Sequence, residues 1–263
     1  MSQPRGPAAK TGVATTLIAL LLIAAALISG TAQGRGTSSR QAIAARTFAR
    51  HAVVIGHSVR GRALRVVRIG DPRAPRHVLI AACIHGDEPA GIAITRALRS
   101  ASIPQGVSIW VLDQANPDGC AATTRANAHQ VDLNRNSPWY WRPIQQPGGV
   151  FYSGPRAWSE PESRAIDRFI LRLHPAVTIW YHQHARLVDD SGGDQRIERR
   201  YARLSGLPFV HLGFYRGSFT GWQNRHLRGT TAFVVELPAG SLSRSSVARH
   251  VRAVLAIATS GGR

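Results

Sequence analysis

The chain has 263 residues and a formal charge of +19, with 33 basic against 14 acidic side chains, and 44% of it is hydrophobic. That is ample material for a core, so neither disorder nor a small disulfide-stapled fold is needed. The charge is almost wholly arginine, Lys10 being the only lysine, and the arginines are scattered. No nucleic-acid motif emerges, whereas attraction to anionic cell-envelope polymers is expected.

Residues 1–32 read as a signal peptide or an N-terminal membrane anchor. Arg5 and Lys10 precede an uncharged run from Val13 to Ser29, and Gly30-Thr31-Ala32 offers small residues for cleavage. The run has a length at which signal and anchor are hard to separate, so membrane association through residues 13–29 is an alternative to secretion. Either places the rest outside the cytoplasm. Residues 33–50, rich in Gly, Ser, Ala and Arg, read as a linker, and residues 51–263 as one catalytic domain.

Apolar runs then alternate with helical patterns. Strands are expected over 63–69, 77–84 and 107–112, and a helix over 90–99. Asn116-Pro117-Asp118-Gly119 reads as a turn. Ser159-Glu160-Pro161-Glu162 reads as a helix start with serine as cap, the helix reaching about Leu173 before Pro175. Strands over 177–181 and 231–237 and a helix over 245–258 complete an α/β single domain. Its sheet should be mixed but mostly parallel, with helices on both faces and functional residues at the carboxyl ends of strands.

The chemistry starts at His85-Gly86-Asp87-Glu88, just past a buried strand. A catalytic metal takes about three protein ligands and leaves one position open. His85 and Glu88 can turn toward one point, with Gly86 giving the backbone freedom. A third ligand must come from another strand end, where both His182 and His184 are candidates. Glu236 closes an apolar strand, a costly place for a carboxylate unless a metal, an arginine or solvent attends it. It is therefore a candidate general base. Cys83 and Cys120 flank these motifs; an oxidising compartment permits a bridge, with two buried free thiols as the alternative.

These segments, in order, resemble the zinc carboxypeptidase family, the group that includes carboxypeptidase A and the bacterial murein peptide amidases. The resemblance rests on His85-Gly86-Asp87-Glu88-Pro89-Ala90-Gly91, Asn116-Pro117-Asp118-Gly119, Thr124-Arg125-Ala126-Asn127, Asp132-Leu133-Asn134-Arg135-Asn136, and the helix entry around Tyr152-Ser153-Gly154-Pro155. It implies one zinc ion on His85, Glu88 and His182, and catalysis by Glu236 with Arg125 steadying the oxyanion. Asn134 and Arg135 would hold a substrate carboxylate. Tyr215, in Phe214-Tyr215-Arg216-Gly217-Ser218, would join them across a gapped match, and Thr220 falls where side-chain selection occurs. The implied reaction is hydrolysis of an amide bond next to a free carboxylate, in cell-wall peptides carrying diaminopimelate. A deacylase of acyl-amino acids, of the aspartoacylase kind, is the alternative. A non-catalytic wall-binding protein is a third reading.

Overall fold

The computed structural model describes residues 50–259. The expected signal or anchor and all of the linker but Arg50 lie outside the described residues. Among the described residues, no helix is long and apolar enough to cross a membrane.

Seven strands form one sheet: β1 (His51–His57), β2 (Ala63–Gly70), β3 (Arg76–Ala82), β4 (Val107–Leu112), β5 (Val177–Asp189), β6 (Phe209–Val210) and β7 (Thr231–Pro238). The order is β1-β2-β4-β3-β5-β6, with β7 also paired to β5. β1, β2 and β4 pair antiparallel, while β3 is parallel to both β4 and β5. The sheet is thus mixed, with its parallel part at the centre. That is where β3 is buried on both faces, as its uninterrupted apolar run requires.

Helices cover both faces. α1 (Gly91–Arg99), α4 (Gln195–Ser205) and α6 (Arg244–Thr259) pack on one side. α3 (Pro161–Leu173) and α5 (Phe219–His226) pack on the other. Alternation along the central strands divides the core accordingly. Val177, Ile179 and Tyr181 of β5 join the first cluster, and Trp180 joins the second, stacked on Phe219 with ring centroids 5.0 Å apart.

Two helix starts differ from the sequence expectation. Asn116-Pro117-Asp118-Gly119 opens the short helix α2 (Pro117–Ala122), with the Asn116 side chain capping Gly119 N–H at 2.9 Å. An Asx residue followed by Pro is as good a helix start as a turn. In α3 the residue before the first turn is Glu160, not Ser159, whose hydroxyl donates to the Glu160 carboxylate at 2.6 Å.

The far half of β5 positions the site. It runs parallel to β7 from Val177 opposite Thr231 to Gln183 opposite Leu237, bringing His182 abreast of Glu236. Beyond a bulge the register runs back, with Leu187 opposite Glu236 and Val188 opposite Val235. Val188 and Asp189 then pair with β6.

Candidate metal centre

The site is assembled where β3 and β7 end and β5 turns back. The chain leaves β3 through Cys83, in the left-handed region at φ +54°, and Cys83 is disulfide-bonded to Cys120 of α2 with Cα atoms 6.4 Å apart. Gly86 N–H donates to Thr124 O at 2.9 Å. A Cβ on Gly86 would overlap the Gly119 backbone, so the residue is glycine for close approach, not for an unusual φ. This corrects the sequence reading: two loops touch here, and the contact fixes the path between His85 and Glu88.

His85 is 2% exposed, Glu88 8% and His182 4%. His85 Nδ1 lies 2.9 Å from Glu88 Oε1, His182 Nδ1 lies 2.9 Å from Glu88 Oε2, and the two Nδ1 atoms are 3.1 Å apart. Zinc with arms of about 2.0–2.2 Å in a tetrahedron would separate its ligand atoms by roughly 3.3 Å. Two imidazole nitrogens and a carboxylate oxygen converging at nearly that spacing fit a zinc ion, and the three residues form a group able to hold a metal. His184, the alternative third ligand, is exposed and outside this group.

Behind the group stands Asp132, fully buried, to which sequence reasoning gave no role of its own. Its Oδ1 accepts from His85 Nε2 at 3.0 Å, and its Oδ2 accepts from Arg125 Nε at 3.1 Å and Nη2 at 2.9 Å. A carboxylate behind a ligating histidine orients the ring and fixes its tautomer. The available signal was the aspartate opening Asp132-Leu133-Asn134-Arg135-Asn136. Burial alone would depress the His85 pKa, but Asp132 and then Glu88 outweigh it and raise it to about 9. Burial opposes ionisation of Glu88 too, yet His182 and His85 hold it well below the usual carboxylate range. Concentrated negative charge next to two imidazoles is an environment that favours a cation.

The remaining predicted residues line the same cavity: Arg125, Asn134, Arg135, Tyr215, Thr220 and Glu236. Arg125 donates through Nη1 to Glu88 Oε1 at 3.1 Å. Arg135 is 9% exposed, its guanidinium 5.3 Å from the Phe151 ring centroid and 5.0 Å from that of Tyr215. Asn134 Oδ1 accepts from Phe219 N–H at 3.1 Å, which aims the side chain. Glu236 is half-buried, and Ala185 N–H donates to its Oε2 at 3.4 Å. Asp189, from the returning half of β5, also lines the cavity and belongs to no recognised motif.

A mononuclear site of the His, Glu, His kind at the strand ends of a mixed sheet defines a metalloenzyme class. The family model "Zinc carboxypeptidase" matches residues 40–196. The chain belongs to the zinc carboxypeptidase family. The match includes the metal-ligating group, Arg125, Asn134 and Arg135, while Tyr215 and Glu236 lie beyond it. Murein peptide amidase A of Escherichia coli (strain K12) is 32% identical over 158 residues, 55% of this chain and 64% of that protein. The chain thus spans less than two thirds of that relative's length. Murein peptide amidase A of Vibrio campbellii is 32% identical over 193 residues, 68% of this chain and 76% of the relative. The crystal structure of murein-tripeptide amidase MpaA from Escherichia coli O157 superposes with a TM-score of 0.69 at 26% identity, covering 83% of this chain and 96% of that one.

Proposed function

We propose that this chain is a zinc-dependent hydrolase of amide bonds adjacent to a free carboxylate, acting on cell-wall peptides that carry diaminopimelate. One observation carries the reading: the His85, Glu88 and His182 group opens into the same cavity as a carboxylate, Glu236, and two arginines, Arg125 and Arg135.

Zinc bound there supplies a Lewis acid for the scissile carbonyl and lowers the pKa of water. Glu236, abreast of His182, takes the proton of the attacking water and passes it to the leaving amine. Arg125 keeps two nitrogens on Asp132, leaving Nη1 at the cavity beside Glu88, where a developing oxyanion can accept from it. Arg135, fixed by its own bond to Asn134 O at 2.8 Å and by two aromatic rings, offers a planar fork suited to the substrate carboxylate. Asn134 adds a neutral donor, and Tyr215 closes the same end.

The resemblance to murein peptide amidases supports wall peptides as substrate. The Cys83–Cys120 disulfide suits an oxidising, extracytoplasmic compartment, in keeping with the export expected from residues 1–32.

The test is hydrolysis by the zinc-loaded chain and its Glu236→Gln variant. The panel holds diaminopimelate peptides, ordinary carboxyl-terminal peptides and acyl-amino acids, with products read by mass. The expected result is cleavage beside a free carboxylate, falling by about 10²–10⁴-fold in the variant with zinc content unchanged. Release of the acyl group from acyl-amino acids alone would establish the deacylase instead. No cleavage of anything would leave a binding role.

A further inference from the structure

We infer that Asp189 selects the substrate: its carboxylate receives a primary ammonium on the side chain of the residue whose α-carboxylate Arg135 holds. The inference deepens the proposed function and rests on it.

The position follows from the returning half of β5. Leu187 lies opposite Glu236 and Val188 opposite Val235, and continuing that returning register by one residue brings Asp189 towards Val234. Val234 and Glu236 are two apart on β7, so they share a face and lie about 7 Å from each other along the strand. All three line the cavity. Asp189 therefore shares one cavity with Glu236 and with the two arginines.

Its chemistry is that of a carboxylate short of a counter-ion. Asp189 is 4% exposed. Oδ1 accepts from Leu212 N–H at 2.9 Å and Oδ2 from the Ser191 hydroxyl at 2.7 Å, both neutral donors. A carboxylate has about four acceptor positions, so two are open. Among the described residues it makes no ion pair, in a chain with 33 basic side chains. A buried charge left without a partner is costly, and an ammonium arriving with the substrate would supply that partner. A second carboxyl near it supplies no counter-charge either. Glu198 is fully buried, its Oε2 has no partner, and burial, then Asp190 and to a lesser degree Asp189, push its pKa up to about 8.

The cavity thus offers both signs of charge, Arg125 and Arg135 on its wall together with the unpaired carboxylate of Asp189. A residue with a carboxylate at one end and an ammonium on its side chain matches both. Lysine and diaminopimelate share that ammonium, and a neutral aliphatic residue does not. Thr220, the selector implied by the resemblance, lines the cavity as a neutral wall.

The test compares kcat and KM of the zinc-loaded full-length chain on three peptides alike except for a terminal diaminopimelate, lysine or norleucine. Wild type is expected to favour an ammonium-bearing residue over norleucine by about 30-fold or more in kcat/KM, because a site built to bond a polar group rejects the analogue lacking it. Asp189→Asn should bring the kcat/KM ratio of the ammonium-bearing peptides to the norleucine peptide down towards one. Diaminopimelate ahead of lysine would narrow the class to the wall residue, and equal use of both would support the pairing in its broader form. Equal rates on all three peptides in wild type would overturn the inference, as would a variant that slows all three in proportion. The wild-type ratio requires no variant, so it decides the matter even if Asp189→Asn misfolds. If wild type cut nothing, the hydrolase reading would fall, and calorimetric binding of free lysine against norleucine would decide the pocket separately. Equal affinity would overturn it.

Discussion

Tyr181 and His182 are neighbours on β5 that point to opposite faces of the sheet, and each ends in a buried polar network. On the side of α4 and α6 Tyr181, Tyr201 and His250 form a chain, with Tyr181 Oη 2.7 Å from Tyr201 Oη and Tyr201 Oη 2.8 Å from His250 Nδ1. On the cavity side His182 meets His85 and Glu88. Both networks are deep, yet His250 and His85 shift in opposite directions. Burial, helped by Arg249, pulls the His250 pKa down to about 4, whereas Asp132 and Glu88 overcome burial and lift that of His85 to about 9. The neutral chain is closed on itself and serves the core. The charged network concentrates acceptors around converging nitrogens and leaves the centre for a cation.

The sharpest way to break this contrast is Glu88→Ala, which removes the carboxylate both histidines share. Bound zinc, measured by metal analysis of the purified protein, should fall to background and hydrolysis with it, while the tyrosine network on the other face keeps the fold. A fully metallated Glu88→Ala would show that the three residues are not one ligand set. Asp132→Asn is gentler, since it leaves the ligands and disturbs only the support of His85. Zinc affinity by competition with a chelator should weaken about 10–100-fold, the usual cost of losing such a partner. An unchanged affinity would reduce Asp132 to a packing residue.

The smallest effect concerns the neutral side and is read in pH. His250 has a folded pKa near 4 against an ordinary value of 6.5. Below 6.5 the unfolded chain takes up a proton that the native chain refuses, so stability present above pH 6.5 is lost as pH falls towards 4. At about 1.4 kcal/mol per pH unit the loss approaches about 3 kcal/mol. Denaturant melts from pH 7 to 4 should show it, and His250→Gln should flatten that part of the profile. A variant with an undiminished pH slope would move the cause elsewhere.

How much of this was readable in the chain differs between the same two regions. β4 falls at 107–112 as the apolar pattern indicates, and His85 and Glu88 were visible because ligand chemistry and a strand end coincide there. The far half of β5 was not. Gln183, His184 and Arg186 interrupt its apolar pattern, and the segment is a strand only because β7 and β6 pair with it. α4 was hidden by its polarity, with Tyr201 and Ala202 its buried apolar residues. Asp132 and Asp189 illustrate a deeper limit. Each takes its meaning from a neighbour 47 or more residues away in one case and from the next strand but one in the other, His85 for the first and Val234 with Glu236 for the second, and no local spacing records that.

The doubling back of β5 has an evolutionary consequence. One strand holds a metal ligand at His182 and a cavity wall at Asp189, joined by the exposed stretch from His184 to Arg186. Mutations in the second part can retune which residue is accepted without disturbing the ion-holding part. A lineage could therefore drift from one diet of peptides to another by changing a few codons after the bulge, with its catalytic engine inherited intact.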